Sequence, residues 1–280
     1  MPIEIKELSF SYDSKPFIDN LDLIINDGEM VGIIGNTGCG KSTFVRLIAG
    51  LIKSDSGKII IDGDDITSKK FNKKILRRKL GIVFQFPEMQ LFEQTIEKDI
   101  FFGLKQYKLT YDEKYKRAKE ALEFLGLDFE RIKDKSPLAL SGGEKRKIAV
   151  AGTLVCKPKY LIFDEPIAGL DCNSRDSFMK LLLALKQNGT TIIIISHNTD
   201  YLAEYADRIL VMDGGKIVLD DKPNEIFNQA TLLNNLNIGV CNSKEIANLL
   251  NKNGFNIQSN ILKYDDLLSS IISNIGVIND

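Results

Sequence analysis

Residues 35–42, GNTGCGKS, have the types and spacing of a loop that wraps a phosphate group. They satisfy G-x-x-x-x-G-K-[ST] directly after an apolar run and at the head of a predicted helix. Glycines let the backbone pass close to an anion, a helix N-terminus presents N–H groups, and a lysine adds positive charge. The Ser42 hydroxyl can also bind Mg²⁺. We expect phosphate contacts from Gly35, Asn36, Thr37, Gly38, Cys39, Gly40, Lys41, Ser42 and Thr43.

Two carboxylates end a second apolar run, YLIFDE, at residues 160–165. Consecutive strand residues point to opposite faces, so Asp164 and Glu165 can take different tasks. One can hold Mg²⁺ through water while the other addresses an attacking water. Acidic residues are common at strand ends, but their combination with a phosphate loop favours nucleotide chemistry.

A second helix start could also bind an anion. In LSGGEKRK, Ser141, Gly142 and Gly143 lead into a predicted helix about twenty residues before the acidic strand. One nucleotide cannot easily use both this site and the loop at 35–42. The pattern therefore sets this chain apart from most proteins with a phosphate loop.

His197 is the only histidine in 280 residues, and it follows a run of four isoleucines. An imidazole can donate to a phosphate oxygen or hold a water-positioning carboxylate near neutral pH. A lone histidine after an apolar run is more often a satisfied structural residue. Taken alone, the residue leaves both roles open.

The elements that must position these residues alternate between strand and helix. Apolar runs bounded by Gly, Asp or Ser predict strands at 30–35, 57–63, 80–85, 160–165, 190–196 and 207–221, and helices are predicted at 41–51, 113–125, 174–187 and 199–205. Several strands are apolar without alternation, as in strands covered on both faces. We therefore predict an α/β fold with a parallel sheet, interrupted at about 87–156 by a helical subdomain.

Composition narrows the class of protein. The chain has 37 basic and 38 acidic residues, so no chain-wide charge favours nucleic acid or an anionic membrane. No apolar stretch reaches the roughly 18 residues needed to cross a bilayer, and no signal peptide is evident. The four cysteines lack metal-type spacing, which fits a reducing compartment. We expect a cytosolic protein in which any contact with nucleic acid or a membrane is made by a local patch of its surface.

In order along the chain, these motifs resemble those of ATP-binding-cassette ATPases, over about residues 1–230. The resemblance rests on the phosphate loop, Q-loop, signature, acidic strand, D-loop and switch histidine, which correspond to residues 35–42, Gln85, Ser141 to Gly143, Asp164 with Glu165, Asp171 and His197. By themselves, Gln85 could be a strand-end polar residue and Asp171 a helix cap. The resemblance implies a P-loop NTPase core with an N-terminal antiparallel β subdomain and an inserted helical subdomain.

The resemblance also implies the role of each residue toward ATP and Mg²⁺. Lys41 and the loop amides would hold phosphates, Ser42 and Gln85 would ligate Mg²⁺, and Asp164 would support the ion through water. Glu165 would orient or deprotonate the attacking water, and His197 would contact the γ-phosphate. The adenine would stack on Tyr12, with Phe10 and Phe17 as alternatives. The signature residues Ser141, Gly142 and Gly143, with Asp171 in the D-loop, would serve the ATP of a partner protomer in a shared sandwich.

The segment FPEMQLFEQTIEKDIFFG after Gln85 is similar to its counterpart in ATPases of energy-coupling factor transporters, which import vitamins and cobalt or nickel ions. That group more often has Gln where Glu144 stands. The resemblance implies a second, related ATPase in a heterodimer, with a homodimer as the alternative, and membrane subunits for coupling and substrate binding. The protein would lie at the cytoplasmic face of the membrane, with Glu88, Glu93 and Asp99 available to the coupling subunit. A soluble cassette ATPase that clamps nucleic acid or ribosomes is the competing hypothesis, although no nucleic acid partner is expected.

The chain beyond about residue 231 reads as a small C-terminal extension. Residues 243–258 and 263–275 predict two short helices around an extended piece. By resemblance this extension is a candidate dimerisation element. A simple packing appendix is the equally weighted alternative.

Overall fold

Two sheets form the frame of the molecule. The computed structural model describes residues 1–13, 15–258 and 260–278. Its strands are β1 (Ile3–Tyr12), β2 (Lys15–Ile25), β3 (Met30–Gly35), β4 (Ser56–Ile61), β5 (Asp64–Asp65), β6 (Leu80–Val83), β7 (Tyr160–Asp164), β8 (Thr191–Ile195), β9 (Arg208–Asp213) and β10 (Lys216–Asp221). Its α-helices are α1 (Lys41–Ile48), α2 (Lys73–Lys79), α3 (Ile96–Gly103), α4 (Tyr111–Phe124), α5 (Phe129–Ile132), α6 (Gly142–Leu154), α7 (Cys172–Gln187), α8 (Thr199–Tyr205), α9 (Pro223–Phe227), α10 (Ala230–Asn235), α11 (Asn242–Lys252) and α12 (Tyr264–Ile278).

The larger sheet has the order β10-β9-β3-β8-β7-β6, and its strands from β9 to β6 are parallel. Strands β3 and β8 are buried along their whole length, as predicted for strands covered on both faces. The run at 207–221 forms two strands, because Gly214 and Gly215 both adopt positive φ and turn the chain into an antiparallel hairpin. The carboxyl ends of β3, β7 and β8 therefore meet at one edge of the sheet.

The smaller sheet, β2-β1-β4-β5, is antiparallel and lies in the N-terminal part, which confirms the predicted β subdomain. Its residues Ile3, Leu8 and Ile61 share a core with Ile33 and Ile193 of the larger sheet. Burial of these side chains, at about 25 cal/mol per Å² of apolar surface, is the main force joining the two sheets.

Helices α3 to α6 lie between strands β6 and β7, where the helical subdomain is predicted. Thr110 with Glu113 and Ser141 with Glu144 form capping boxes that start α4 and α6. Apolar residues of these helices, such as Ile100 and Ile148, pack into the core that contains Phe163 of β7. No helix within residues 1–13, 15–258 and 260–278 is both long and apolar enough to cross a membrane.

The C-terminal segment contains the two predicted helices, α11 and α12. They enclose a small separate core of Ala247, Ile257, Ile261 and Leu267. The preceding residues Leu233 and Cys241 instead belong to the main core. A separate packing unit therefore begins near α11. The domain boundary near residue 231 and the role of the extension in dimerisation stay predictions.

Candidate active site

The phosphate loop joins β3 to α1 and depends on glycine at two positions. A Cβ at Gly35 would lie 2.3 Å from the carbonyl oxygen of Met212 on β9, so no other residue fits. Gly40 precedes α1 with φ at 116°, a conformation that glycine adopts readily. Helix α1 has no side-chain cap and no acidic residue in its first turn, so its N-terminal N–H groups remain available to an anion.

Lys41 is held inside this loop. The side chain is 6% exposed, and its ammonium group donates to the carbonyl oxygens of Gly35 at 2.6 Å and Asn36 at 2.8 Å. Both acceptors are uncharged carbonyl groups, so neither forms an ion pair with the ammonium group, which can instead pair with a phosphate. An incoming phosphate can replace these carbonyls without breaking an ion pair.

A cleft of about 220 Å³ opens over the loop at the carboxyl edge of the sheet. It is lined by ten of the predicted site residues, together with Phe17 and Ile195. The ten are Thr37, Gly38, Gly40, Lys41, Ser42, Thr43, Gln85, Asp164, Glu165 and His197. Residues from four separate stretches of sequence therefore converge, as the order of the parallel strands requires.

Glu165 and His197 meet at the ends of β7 and β8. The backbone N–H of His197 donates to Glu165 Oε1 at 2.9 Å, and His197 Nε2 lies 3.7 Å from the same oxygen. The Ser196 hydroxyl lies 3.5 Å from Oε2. The imidazole is 56% exposed whereas the Glu165 side chain is 16% exposed. The imidazole is therefore not part of the core, and the histidine lines the cleft.

Burial changes the acidity of both carboxylates. Desolvation raises the pKa of Asp164 and of Glu165 above their ordinary values. The positive charge of Lys41 opposes both shifts, and Arg46 also opposes the shift of Asp164. A carboxylate whose pKa is raised is a stronger base and is better suited to accept a proton from water.

Ser42, Gln85 and Asp164 line the same cleft and present a hydroxyl, an amide and a carboxylate. Oxygen atoms are the ligands that Mg²⁺ prefers, and the ion usually keeps several waters and binds substrate phosphates. The donor set thus fits Mg²⁺ bound together with a nucleotide.

Aromatic side chains border the cleft on the side of the smaller sheet. Tyr12 is 43% exposed, and its hydroxyl lies 3.2 Å from Thr43 Oγ1 at the start of α1. Its ring contacts Phe10 and Phe17 edge to face, at centroid distances of 4.7 and 5.2 Å. Because Phe17 itself lines the cleft, both Tyr12 and Phe17 can offer a surface to adenine.

The signature and D-loop residues lie outside the cleft. Ser141 begins α6, its hydroxyl donates to Glu144 at 2.7 Å, and Gly142 and Gly143 follow it in the first turn. Asp171 accepts from the backbone N–H and the hydroxyl of Ser174, so it does cap α7, the simpler of its two predicted roles. Within one protomer these residues are therefore not part of the site around Lys41.

The side chain of Cys39 does not face the cleft, although the residue was predicted to contact phosphate. It is 6% exposed and belongs to the same core as Phe44 and Met212. The tight turn at Gly35 directs the sulfur inward. Only the backbone of Cys39 can contribute to phosphate binding.

The acids after Gln85 also differ from the expectation that all three are available. Asp99 accepts from the backbone N–H groups of Phe92 and Glu93, at 3.0 and 2.8 Å, and Glu93 lies 3.8 Å from Lys105. In the described residues Glu88 Oε2 is buried without a hydrogen-bond partner. Asp99 is therefore bound within its own segment, and the charge of the partly buried Glu88 acts on Arg146.

Sequence reasoning missed several neighbours of the site. Ser196 contacts Glu165, and Arg46 lies one helical turn beyond Ser42 on α1, close enough to Asp164 to affect its pKa. The signals were weak: Ser196 is simply the residue before His197, and Arg46 is one cation on a short helix. Asn36 also donates to the Leu236 carbonyl at 2.5 Å, a contact across two hundred residues that no local pattern predicts.

Known proteins resemble this chain in sequence and in fold. A family model described as ABC transporter matches residues 18–168. The Energy-coupling factor transporter ATP-binding protein EcfA2 of Clostridium tetani (strain Massachusetts / E88) is 43% identical over 97% of this chain and 96% of its own length. The protein of the same name from Clostridium perfringens (strain 13 / Type A) is 44% identical over 93% of this chain and 94% of its own.

Solved structures agree with the sequence matches. The structure of cbiO1 from Clostridium perfringens, described as part of the ABC transporter complex cbiONQ, aligns with a TM-score of 0.75 and 36% identity, over 89% of this chain and 98% of its own. The ATP-binding cassette MJ0796, solved as a dimer bound to ADP and Pi, aligns with a TM-score of 0.69 and 28% identity, over 79% and 98%. This chain belongs to the ABC transporter family, among the ATP-binding proteins of energy-coupling factor transporters.

Proposed function

We propose that this chain is an ATP-hydrolysing subunit of an energy-coupling factor importer, driving uptake of a vitamin or a transition-metal ion through membrane partners. One observation supports this most strongly: Lys41, Gln85, Glu165 and His197 line a single cleft above a phosphate loop. The relatives that match almost the whole chain carry the energy-coupling factor name. The family indicates the class of reaction, ATP hydrolysis, and the cleft indicates which residues would carry it out.

Each residue of the cleft has a task in this reaction. The Lys41 ammonium leaves the Gly35 and Asn36 carbonyls and binds the phosphates, together with the N–H groups at the start of α1. Ser42, Gln85 and Asp164 would hold Mg²⁺, and the ion would neutralise negative charge on the phosphates. Glu165 orients the attacking water and accepts its proton. His197 donates to the γ-phosphate, whose negative charge is stabilised during transfer.

The sandwich dimer follows from the two anion sites of one protomer. Ser141, Gly142 and Gly143 lie at an exposed helix N-terminus outside the cleft, where they can address the ATP bound by a partner protomer. Asp171, at the start of α7, faces the same task. We propose a head-to-tail pair with a second, related ATPase, the heterodimer being favoured over a homodimer. A lone protomer should bind ATP but hydrolyse it slowly.

The membrane partner is proposed to dock on the segment after Gln85, at the cytoplasmic face of the membrane. Four apolar side chains in this segment are exposed, namely Phe86, Met89, Phe92 and Phe102, and Met89 is 83% exposed. Exposed apolar groups of this size mark interaction surfaces. Glu88 does not belong to this surface, because its Oε2 atom is buried and its charge acts on Arg146 of the same chain. The contact is thus expected to be mainly apolar.

The C-terminal helices offer a second surface. Ile246 and Leu249 are exposed on α11, and Leu268 and Ile272 on α12. Their spacings of three and four residues place each pair on one helix face. We propose this face as the dimerisation element, the packing appendix being the alternative. A soluble clamp on nucleic acid or ribosomes is not favoured, because the full-length relatives carry transporter names.

Co-purification tests the transport function. The tagged chain is expressed in a bacterium together with the membrane proteins encoded beside its gene. After purification in detergent, the integral membrane proteins that stay bound to the tagged chain are identified by mass spectrometry. We expect one or more to be retained, and Met89→Gln with Phe92→Gln to release them while ATP binding is kept. Leu51→Gln, at an exposed apolar residue elsewhere, is the control. A tight, fully active dimer of this chain that retains no integral membrane protein would refute the transporter function.

A further inference from the structure

The C-terminal segment contacts the start of the helix that follows His197. Asp200, in the first turn of α8, accepts from the backbone N–H of Asn242 at 2.6 Å and from its side-chain amide at 2.7 Å. The Tyr264 hydroxyl lies 3.4 Å from the same carboxylate. Both carboxylate oxygens of Asp200 are thus bound by residues of the C-terminal helices. Charge-assisted hydrogen bonds of this length are among the stronger polar contacts in proteins.

The same segment contacts the phosphate loop. The Asn36 side-chain amide donates to the Leu236 carbonyl at 2.5 Å, and the Thr199 hydroxyl lies 3.4 Å from the carbonyl of Val240. Residues 236–242, which we call the bridge segment, therefore reach from the phosphate loop to the start of α8. Cys241, inside the segment, is fully buried in the main core, so the segment is anchored between its two contacts.

The two contacts of the bridge segment are made by residues that lie close in sequence to the cleft lining. Asn36 is one residue from the start of the cleft lining at Thr37, and Asp200 is three residues after His197. Between them, His197 uses its own backbone N–H to hold Glu165. A shift of α8 along its axis would move that N–H group, and hence the carboxylate that it positions.

We propose that Asp200 and Asn242 are positioning residues for ATP hydrolysis: through them the bridge segment fixes the loop of His197 and Glu165 relative to the phosphate loop. The C-terminal segment is then part of the catalytic apparatus, and any partner that binds α11 or α12 can change the hydrolysis rate through this contact. The inference rests on the proposed role of His197. It goes beyond dimerisation, because it assigns the segment an effect on chemistry within its own protomer.

A charge exchange tests the contact. Asn242→Asp places two carboxylates where a 2.7 Å hydrogen bond now lies, and we expect kcat to fall roughly 2- to 30-fold, with a smaller change in KM for ATP. The double variant Asp200→Asn with Asn242→Asp restores one donor and one acceptor, and should regain most of the rate. Amide hydrogen exchange at residues 196–200 should quicken in the single variant and recover in the double. The measurements use the full chain with its co-purifying partners.

Two further variants serve as a control for the charge change and as a replacement for Asn242→Asp. Glu204→Gln removes an exposed acid from the same helix and should leave kcat unchanged. Asn242→Ala deletes only the side-chain donor, so it serves if Asn242→Asp fails to fold. Wild-type kcat and exchange in a folded Asn242 variant, or a loss that the exchange of charges does not restore, would overturn the inference. If His197→Ala also keeps full turnover, the proposed catalytic site fails instead.

Discussion

The backbone N–H of His197 binds Glu165 Oε1 at 2.9 Å, and the imidazole of His197 lies 3.7 Å from the same oxygen. One residue therefore positions the carboxylate with its main chain and leaves its side chain exposed to the cleft. The positioning of Glu165 and the contact with the cleft are therefore carried by different parts of His197. A substitution that removes only the imidazole should keep Glu165 in place.

His197→Ala should accordingly retain the fold and ATP binding while turnover falls about 10²- to 10³-fold, the effect of losing one donor to a charged transition state. Equilibrium binding of a fluorescent ATP analogue and steady-state hydrolysis in the assembled complex measure the two quantities. A variant that does not fold would instead indicate that the imidazole supports the isoleucine strand.

Glu165→Gln should stabilise the protein at neutral pH. Because burial raises the pKa of Glu165, the folded state binds more protons than the unfolded state between the ordinary value of 4.5 and the raised pKa. Stability therefore falls as pH rises through that window, and glutamine removes this loss. We expect a higher Tm for the variant than for the wild type at pH 7, and no difference in its favour below pH 4.5. Thermal melts across this range would count against the assignment if the two proteins responded to pH alike.

Cys39 should react slowly with maleimide. Its thiol is 6% exposed, so labelling requires local opening of the phosphate loop, whereas Cys172 is exposed. Mg-ATP should slow the labelling of Cys39 further, since binding stabilises the closed loop. Mass spectrometry of each site gives the rates. Equal rates at Cys39 and Cys172 without nucleotide would contradict the buried position.

Glu144→Gln should favour the ATP-bound dimer. The Ser141 hydroxyl donates to Glu144, and these hydrogen bonds lower the pKa of Glu144, so a negative charge stands at the proposed site for the partner's phosphates. Glutamine can keep the helix cap without that charge. We expect the ATP concentration for half-maximal dimerisation to fall about two- to fivefold, by sedimentation in the Glu165→Gln background. Glu123→Gln on α4 is the control. An equal shift of the ATP concentration for half-maximal dimerisation in this variant would show that the effect does not come from the charge beside Ser141.

The sequence predicted the parts of the site that depend on local pattern. The phosphate loop, the acidic strand end and His197 each follow an apolar run, and parallel strands must bring such ends to one edge. The predicted strands of the larger sheet are confirmed because buried parallel strands have a distinctive apolar composition, and the helical insertion lies between β6 and β7. The run at 57–63 instead forms β4 of the antiparallel sheet. The run at 207–221 was harder to divide, since its turn depends on two glycines inside a continuous pattern.

Contacts between distant segments were not predictable. The inward turn of Cys39 depends on the packing of Gly35 against Met212, which no spacing reveals. Asp99 was predicted as free because its two donors are backbone groups. The bond from Asn36 to Leu236 likewise joins a motif residue to the carbonyl of an unremarkable leucine. Side-chain type alone carries no signal for such contacts.

The most direct test of the central claim is the ATP turnover of Glu165→Gln in the assembled membrane complex. If Glu165 is the base of an ATPase that drives transport, the variant should bind ATP as the wild type does, while hydrolysis falls roughly 10²- to 10⁴-fold, the contribution of a positioned base. Substrate uptake into vesicles that contain the same variant complex should be lost as well. Hydrolysis and uptake at nearly the wild-type rate would contradict the account.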